Sequence, residues 1–440
     1  MIKHQKFKET EIGMIPEDWE VVQIEPYLDK IIDYRGKTPK KSMSGIMTLS
    51  ARSIKKGRID YDQTYYISEK TFEQWEIRGK PKIGDVLLTT EGPLGEVAQL
   101  DKEGVAIAQR LLTLRGKERQ LNNGYLKYFL MSPIGQNVLS ARATGTTVQG
   151  IKQSEFRKIL IVKPSFQEQS AIAKILSDLD SKIELSEDMN KTLEAIGQAI
   201  FKHWFVDFEF PDEHGRPYKS SGGEMVDSEL GEIPKGWKVA KLGEYADVTK
   251  GCSYKSEELK ESENALVTLK SINRGGGLNQ EGYKEYIGSF DNKQTLSDGD
   301  IVVAQTDLTQ NAEVVGRPAI ISSMGKYKTL IASLDLQIVR PRDTLTRTFL
   351  YYLLVTESFH NHALSYTNGT TVLHLNKKAV PEYTFVVPSN NILEIFERTV
   401  SLILKKKINN EAGEWSLSQI RDILLPKLMS GKIRVPVEVS

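Results

Sequence analysis

A duplication governs what this chain can fold into. GTTVQGIKQSEF, starting at Gly145, returns as GTTVLHLNKKAV, starting at Gly369. Ile151 matches Leu375 at the next apolar position, and Lys163-Pro164 has its counterpart in Val387-Pro388. IGMIPEDWEVVQI, from Ile12, aligns with LGEIPKGWKVAKL, from Leu230: Gly13, Ile15, Pro16, Trp19 and Val21 match Gly231, Ile233, Pro234, Trp237 and Val239. IGDVLLTT around Asp85 resembles DGDIVVAQ around Asp300. The three landmarks keep their order at offsets of 218, 215 and 224. A period of about 220 residues is domain-sized and too long for a solenoid repeat. Two copies of one domain therefore account for the 440 residues.

Each copy opens on a Trp-containing segment read as a strand. Short β-branched strands follow, punctuated by Gly, Pro, Asn and Asp: MTLSARS, GDVLLTT and GVAIAQRLLTLR, then ALVTLKS, GDIVVAQ and LDLQIVRP. Alternation predicts a mixed α/β (α+β) globule, with NNGYLKYFLMSPIGQNVL and RTFLYYLLVTESFHNHAL as helices covering the sheet. After Pro164 and Pro388 the pattern becomes long helix. The first apolar seam is Ile172, Leu176, Leu179, Ile183, Met189, Leu193, Ile196 and Ile200, with Ser186 in the gap; the second is Ile392, Phe396, Val400, Ile403, Leu417, Ile420 and Leu424. Steps of three and four make heptad-like stripes that cannot stay in water, so the two helices are expected to zip together as an antiparallel coiled coil. The fit weakens from Asn409 to Gly413, and Pro426 is expected to end or bend the second helix. The polar, Gly/Ser-rich stretch PDEHGRPYKSSGGEMVDSELGE reads as a linker between the copies.

The residues speak against several chemistries. GTTVQGIK would need lysine where Ile151 stands to be a phosphate-binding loop, and GLNQEGYK from Gly277 fails the same way. There is no G-x-S-x-G elbow and no H-E-x-x-H. His360, His362 and His374 lack a matching carboxylate spacing, and no acidic pair stands out, so no catalytic or metal site is expected. Cys252 is the only cysteine, which excludes an intrachain disulfide and suits a reducing cytoplasm. No apolar run has the length of a membrane span, and MIKHQKFKETEIG has no signal core.

Net charge is only +1, but phosphate binding depends on where charges sit. Residues 31–60 hold eight Lys/Arg against two Asp. Arg35, Lys37, Lys40, Lys41, Arg52, Lys55, Lys56 and Arg58 are candidates for phosphates and guanine edges; the alternative is an ordinary solvated face. The matching region of the second copy, Lys250 to Glu285, balances six Lys/Arg with six Glu. There Lys250, Lys255, Lys270, Asn273 and Arg274 are the candidates, SINRGG standing against SIKKGR. Thr146, Thr147 and Gln149, and Thr370, Thr371 and His374, occupy the repeated loop. Its threonine hydroxyls either contact phosphate or cap a turn.

Taken in order from about residue 12 to 434, GMIPEDWEV and GEIPKGWKV, GTTVQGIK…VKPSFQEQSAIAKIL, IFKHWFVDFEFP and LLPKLMSGKI resemble the specificity subunit of a Type I restriction–modification system. The resemblance implies two target-recognition domains, residues 1–164 and 231–388. It also implies spacer helices at 165–210 and 389–440 with a linker at 211–230, related by a pseudo-twofold. Each domain would read half of a split double-stranded DNA target. Two methyltransferase and two ATP-driven restriction subunits would assemble on the scaffold, carrying S-adenosylmethionine, ATP and magnesium; this chain itself would hold no cofactor. One departure is that Glu168-Gln169 aligns with Ile392-Leu393, so a polar contact made in the first spacer need not recur in the second. The competing readings are a nuclease in its own right and a protein-binding adaptor.

Overall fold

The computed structural model describes residues 6–34, 38–309, 311–323, 325–342 and 344–436. The chain divides into two units, Met1–Glu184 with Trp415–Ser440, and Leu185–Glu414. The described helices are α1 (Glu69–Trp75), α2 (Asn123–Met131), α3 (Pro133–Ser140), α4 (Gln153–Phe156), α5 (Phe166–Phe205), α6 (Arg347–Val355), α7 (Glu357–Ser365) and α8 (Asn390–Met429).

The first unit is built on an antiparallel sheet in the order 94–99, 86–90, 111–116, 28–33. The central strand Val86–Thr90 is buried throughout because both of its faces are covered. Val86 and Leu88 meet Tyr125 and Phe129 of α2, whereas Leu87 faces Leu49 and Ile107 of a smaller sheet. That smaller sheet pairs 46–49 with 106–107 in parallel. The second unit repeats the plan. Its main sheet runs 318–320, 301–304, 336–341, 246–250, and 264–267 pairs in parallel with 329–332. Ile301 and Val303 face Phe349 of α6, while Val302 and Ala304 face Ala265 and Ala332. A continuous apolar run thus serves two cores, each taking alternate residues.

The repeated Gly-Asp before each central strand has a structural cause. Asp85 accepts from the Lys82 N–H at 2.9 Å and forms a bidentate pair with Arg115 at 2.7 Å to both carboxylate oxygens. Asp300 accepts from the Ser297 N–H at 3.0 Å and meets Arg340 Nη2 at 2.6 Å. One carboxylate closes the turn into the strand and ties it to its neighbour. The repeated tryptophans differ from expectation: Trp19 and Trp237 lie in turns just before short strands, 20–23 and 238–241, that pair with 160–163 and 384–387. The 211–230 stretch is not wholly irregular either, since Met225–Ser228 pairs with Gly231–Pro234 as a hairpin, as Phe7–Thr10 does with Gly13–Pro16.

Helix α5 begins where Ser165 receives the Glu168 N–H on its hydroxyl at 3.3 Å. Both α5 and α8 contain 40 residues, roughly 60 Å of helix each. Within the first unit, Ile172 and Leu176 of α5 share a core with Leu428 and Met429 of α8. Asp180 meets Arg421 at 3.0 Å. Burial opposes ionisation of Asp180, but Lys127, Tyr128 and Arg421 together hold its carboxyl below the usual range. Within the second unit, Phe201 and Phe205 pack on Phe396, the ring centroids 6.0 and 4.9 Å apart, among Ile392, Val400 and Leu404. Partner numbers on α8 fall as those on α5 rise in both units, so the segments run antiparallel.

The seam itself corrects the sequence reading. Ile183 is buried; Leu179, Leu193, Ile200, Ile403, Leu417 and Leu424 are half-buried. Met189, Ile196 and Ile420, however, are 40%, 42% and 47% exposed. Their places are taken by polar or small neighbours. Asn190 is buried, donating to Glu414 at 2.8 Å and accepting from Asn410 at 2.9 Å. Gly197 lets Tyr352 in: a Cβ there would lie 2.0 Å from the tyrosine oxygen. At 420–421 it is Arg421 that turns inward, to Asp180. Beside Asn190, Lys407 bonds Glu194 at 2.7 Å. Burial pushes the nearby Glu411 carboxyl up to about 7, Lys407 opposing and Glu414 adding to the effect. Apolar periodicity cannot locate a seam whose middle is held by amides and an ion pair. The helix also continues through Pro426 to Met429, because proline one turn from an end forfeits a single intrahelical bond.

Candidate nucleic-acid interface

The repeated GTTV is a tight hairpin tip with the same hydrogen-bond register in both units. Thr144 and Gly150 exchange backbone bonds at 2.8 and 2.9 Å; Asn368 and His374 are the equivalent pair. Gly145 and Gly369 have φ +110° and +116°, and a Cβ would lie 2.3 and 2.1 Å from the carbonyl oxygens of Val148 and Val372. Only glycine fits that turn. The hairpin then joins the end of the central strand. Ile151 N–H donates to Thr90 O at 3.0 Å, and Leu375 N–H to Gln305 O at 2.7 Å. Thr146, Thr147, Gln149, Thr370, Thr371 and His374 are all exposed at these tips.

In the first unit the hairpin neighbours a turn that sequence reasoning overlooked. Glu91 bridges to Gly150 and pairs with Arg110, Nε to Oε1 at 2.7 Å. Arg110 has φ +72°. The adjacent Gln109 donates to Thr38 Oγ1 at 2.8 Å, which ties the segment carrying exposed Lys40 and Lys41 to this turn. Lys41 Nζ lies 4.9 Å from the Tyr65 ring centroid. The missed signal was an isolated arginine outside the lysine-rich run.

The remaining basic candidates form a separate group. Arg52 is exposed on the 3-10 turn Ala51–Ser53; Lys55, Lys56 and Arg58 lie on the hairpin of Ile54–Lys55 and Arg58–Ile59. Gly57 bridges to Ala98, and the Lys56 N–H donates to Glu96 at 2.7 Å. Arg35 and Lys37 lie outside the described residues. In the second unit Lys250, Lys255, Lys270, Asn273 and Arg274 are exposed. Arg274 faces Glu313 at 3.4 Å. Asn273 spends its amide on Leu278 O at 3.0 Å, closing its own turn. The histidines do not converge: His360 is buried, with burial lowering its pKa, His362 Nε2 contacts Ala379 O at 2.8 Å, and His374 is at the hairpin. Among the described residues no cluster of His, Cys, Asp or Glu could hold a metal ion.

Two units with one scaffold and different exposed polar residues match a known pattern. A family model described as the Type I restriction modification DNA specificity domain matches twice, over residues 16–195 and 234–413. The chain belongs to this family. The MjaIX specificity subunit of a Type I restriction enzyme from Methanocaldococcus jannaschii is 28% identical over 440 residues, covering 98% of this chain and 97% of that protein. The MjaVIII specificity subunit from the same organism is 28% identical over 452 residues, covering 98% and 97%. The crystal structure of a Type I restriction-modification S subunit from M. genitalium has a TM-score of 0.56 at 19% identity, covering 93% of this chain and 96% of that one, a likeness of fold. As a specificity subunit the chain is non-catalytic, the catalytic activities residing on other subunits of the complex. Specificity subunits assemble with modification and restriction subunits and bind DNA. None of the chain's described helices is long and apolar enough to cross a membrane.

Proposed function

We propose that each unit of this specificity subunit reads one half of a split double-stranded DNA target, and that paired α5 and α8 fix the distance between the halves. The observation that carries this reading is the repeat of one hydrogen-bonded scaffold under different surface chemistry. Thr144–Gly150 and Asn368–His374 share a register, yet the tips differ at every position after GTTV. Phosphate contacts set affinity and register, whereas side chains at base edges set sequence. On this reading Lys40, Lys41, Arg52, Lys55, Lys56 and Arg58 in the first unit, with Arg35 and Lys37, meet phosphates. Lys250, Lys255, Lys270 and Arg274 do so in the second. Thr146, Thr147, Gln149, Thr370, Thr371 and His374 approach the groove from the hairpins.

Half-sites read from one face of B-DNA lie about 34 Å apart, and a helix pair resists bending, so spacer length becomes a property of the rod. Both helices also carry apolar side chains that remain exposed: Ile175, Ile420 and Ile423 in the first unit; Leu185, Met189, Ile196 and Leu402 in the second. Such faces suit protein partners. We assign them to two methyltransferase subunits, with two restriction subunits joining the assembly in the cytoplasm. The partners supply S-adenosylmethionine, ATP and magnesium chemistry. The test is to map methylated adenines in DNA from cells carrying this chain with its methyltransferase. The expected motif is two unlike short sequences separated by a fixed run of unspecified bases. A single continuous motif, or no sequence preference, would overturn the proposal.

A further inference from the structure

We infer that the turn residues Arg110 and Asp335 are the paired base-reading position of the two units, Arg110 for guanine and Asp335 for an exposed exocyclic amine. This inference rests on the split-target reading above. The two positions are equivalent by backbone. The Thr90 N–H donates to Arg110 O at 2.9 Å, and the Gln305 N–H to Asp335 O at 2.7 Å. Thr90 and Gln305 are the residues whose carbonyls hold the two GTTV hairpins. The side chains make equivalent contacts as well. Arg110 Nε meets Glu91 at 2.7 Å, and Asp335 accepts from Thr306 Oγ1 at 3.0 Å. Glu91 and Thr306 are in turn bridged to Gly150 and His374.

What differs is the chemistry. Positions that the scaffold needs repeat in both units: Asp85 and Asp300, Arg115 and Arg340, Gly145 and Gly369. At 110/335 a cationic donor is replaced by an anionic acceptor under the same backbone hydrogen bond, although Asp335 does not share the positive φ of Arg110, so the fold requires neither side chain. The Arg110–Glu91 pair is 53% and 44% exposed, and pairs that open to water add little stability. Arg110 also holds a left-handed backbone at φ +72°, a conformation that non-glycine residues adopt at a cost and that gathers at functional sites. Glu91 binds the guanidinium through Nε, which fixes its plane, and Nη1 lies 3.6 Å from where a Cβ on Gly92 would stand, in the turn that carries Glu91. An arginine fork spans guanine O6 and N7, whereas a carboxylate accepts from cytosine N4 and offers guanine nothing. One scaffold thereby yields two unlike half-sites by inverting the sign of one residue.

The test uses the full chain assembled with its methyltransferase, the wild type, Arg110→Ala and Asp335→Ala, and a DNA pool randomised in both half-sites. Arg110→Ala is expected to lower the preference for guanine at one position of one half-site by about 10-fold or more, leaving the other half-site unchanged. Asp335→Ala is expected to relax one cytosine or adenine position in the opposite half-site only. Arg110→Ala should keep the wild-type melting temperature, since that side chain is exposed. Asp335 is half-buried and bonds Thr306, so Asp335→Asn, which loses the charge but keeps an acceptor for Thr306, is run beside Asp335→Ala and should relax the same position. Equal weakening on every sequence would mark phosphate contacts, and unchanged selectivity would mark spectators; either result overturns the inference. Failure of the split-target reading would show differently, as a wild-type complex with no bipartite preference at all.

Discussion

Asp85→Ala is expected to destabilise the first unit by about 3–4 kcal/mol, the range for removing one partner of a buried ion pair. Asp85 is 2% exposed and Arg115 18%. The change leaves the guanidinium facing a desolvated hole and strips the Lys82 N–H of its acceptor. The Asp85 carboxylate is also the larger of two influences that raise the Arg115 pKa, hydrogen bonding first, with burial opposing. Asp300→Ala should act on the second unit in the same way but less strongly, because Arg340 is 35% exposed where Arg115 is 18%. Hydrogen exchange read strand by strand is the suitable measurement, since two units need not unfold together. Protection should fall in 86–90 and 111–116 for Asp85→Ala, and in 301–304 and 336–341 for Asp300→Ala. A loss below about 1 kcal/mol would mean the pair is no more than a surface contact.

Arg434→Ala is the second large effect, expected at about 2–3 kcal/mol after allowing for the arginine's partial exposure. Arg434 reaches Glu168 at 2.6 and 2.9 Å and Asp18 at 2.8 and 3.0 Å. The indole of Trp19 donates to the same Glu168 at 3.0 Å, and the guanidinium lies 5.4 Å from the Trp19 ring centroid. The hydrogen bonds that Arg434 donates to Glu168 and then to Asp18 raise the arginine's pKa, and Arg434 lowers that of Asp18. Truncation strands a carboxylate that is 3% exposed. The double variant Glu168→Gln with Arg434→Ala should recover much of the loss, because the stranded charge is gone. Among its described residues the second unit has no such cluster to lose: Ile392 and Leu393 occupy the aligned positions in an aromatic core, where Trp237 stacks on Phe210 with centroids 4.7 Å apart. Chemical denaturation followed through Trp19 fluorescence checks the first value.

Much of this architecture was legible in the sequence because duplication supplies its own control. The strands around Asp85 and Asp300, the paired helices after Pro164 and Pro388 and the glycine-dependent loop all announced themselves twice. The misses have physical reasons. The helix seam was traced by apolar spacing, which favours Met189 and Ile196 over Asn190 and Gly197, although a bonded amide and a space for Tyr352 suit the interface better. Arg434 gave no signal, since its partners are 416 and 266 residues away in sequence. At the interface, clustering of lysines drew attention to residues 35–58 and away from Arg110, whose significance lies in its backbone position and its tie to Glu91. Asn273 had the chemistry of a base reader but closes its own turn.

On the split-target proposal, the twin reading units take their separation from the helix pair. Removing one heptad from each of α5 and α8 at facing positions shortens the rod by about 10 Å while keeping the apolar register. Methylated adenines mapped with that variant should show both half-sites unchanged and a different number of unspecified bases between them. An unchanged spacing with altered half-sites would contradict it.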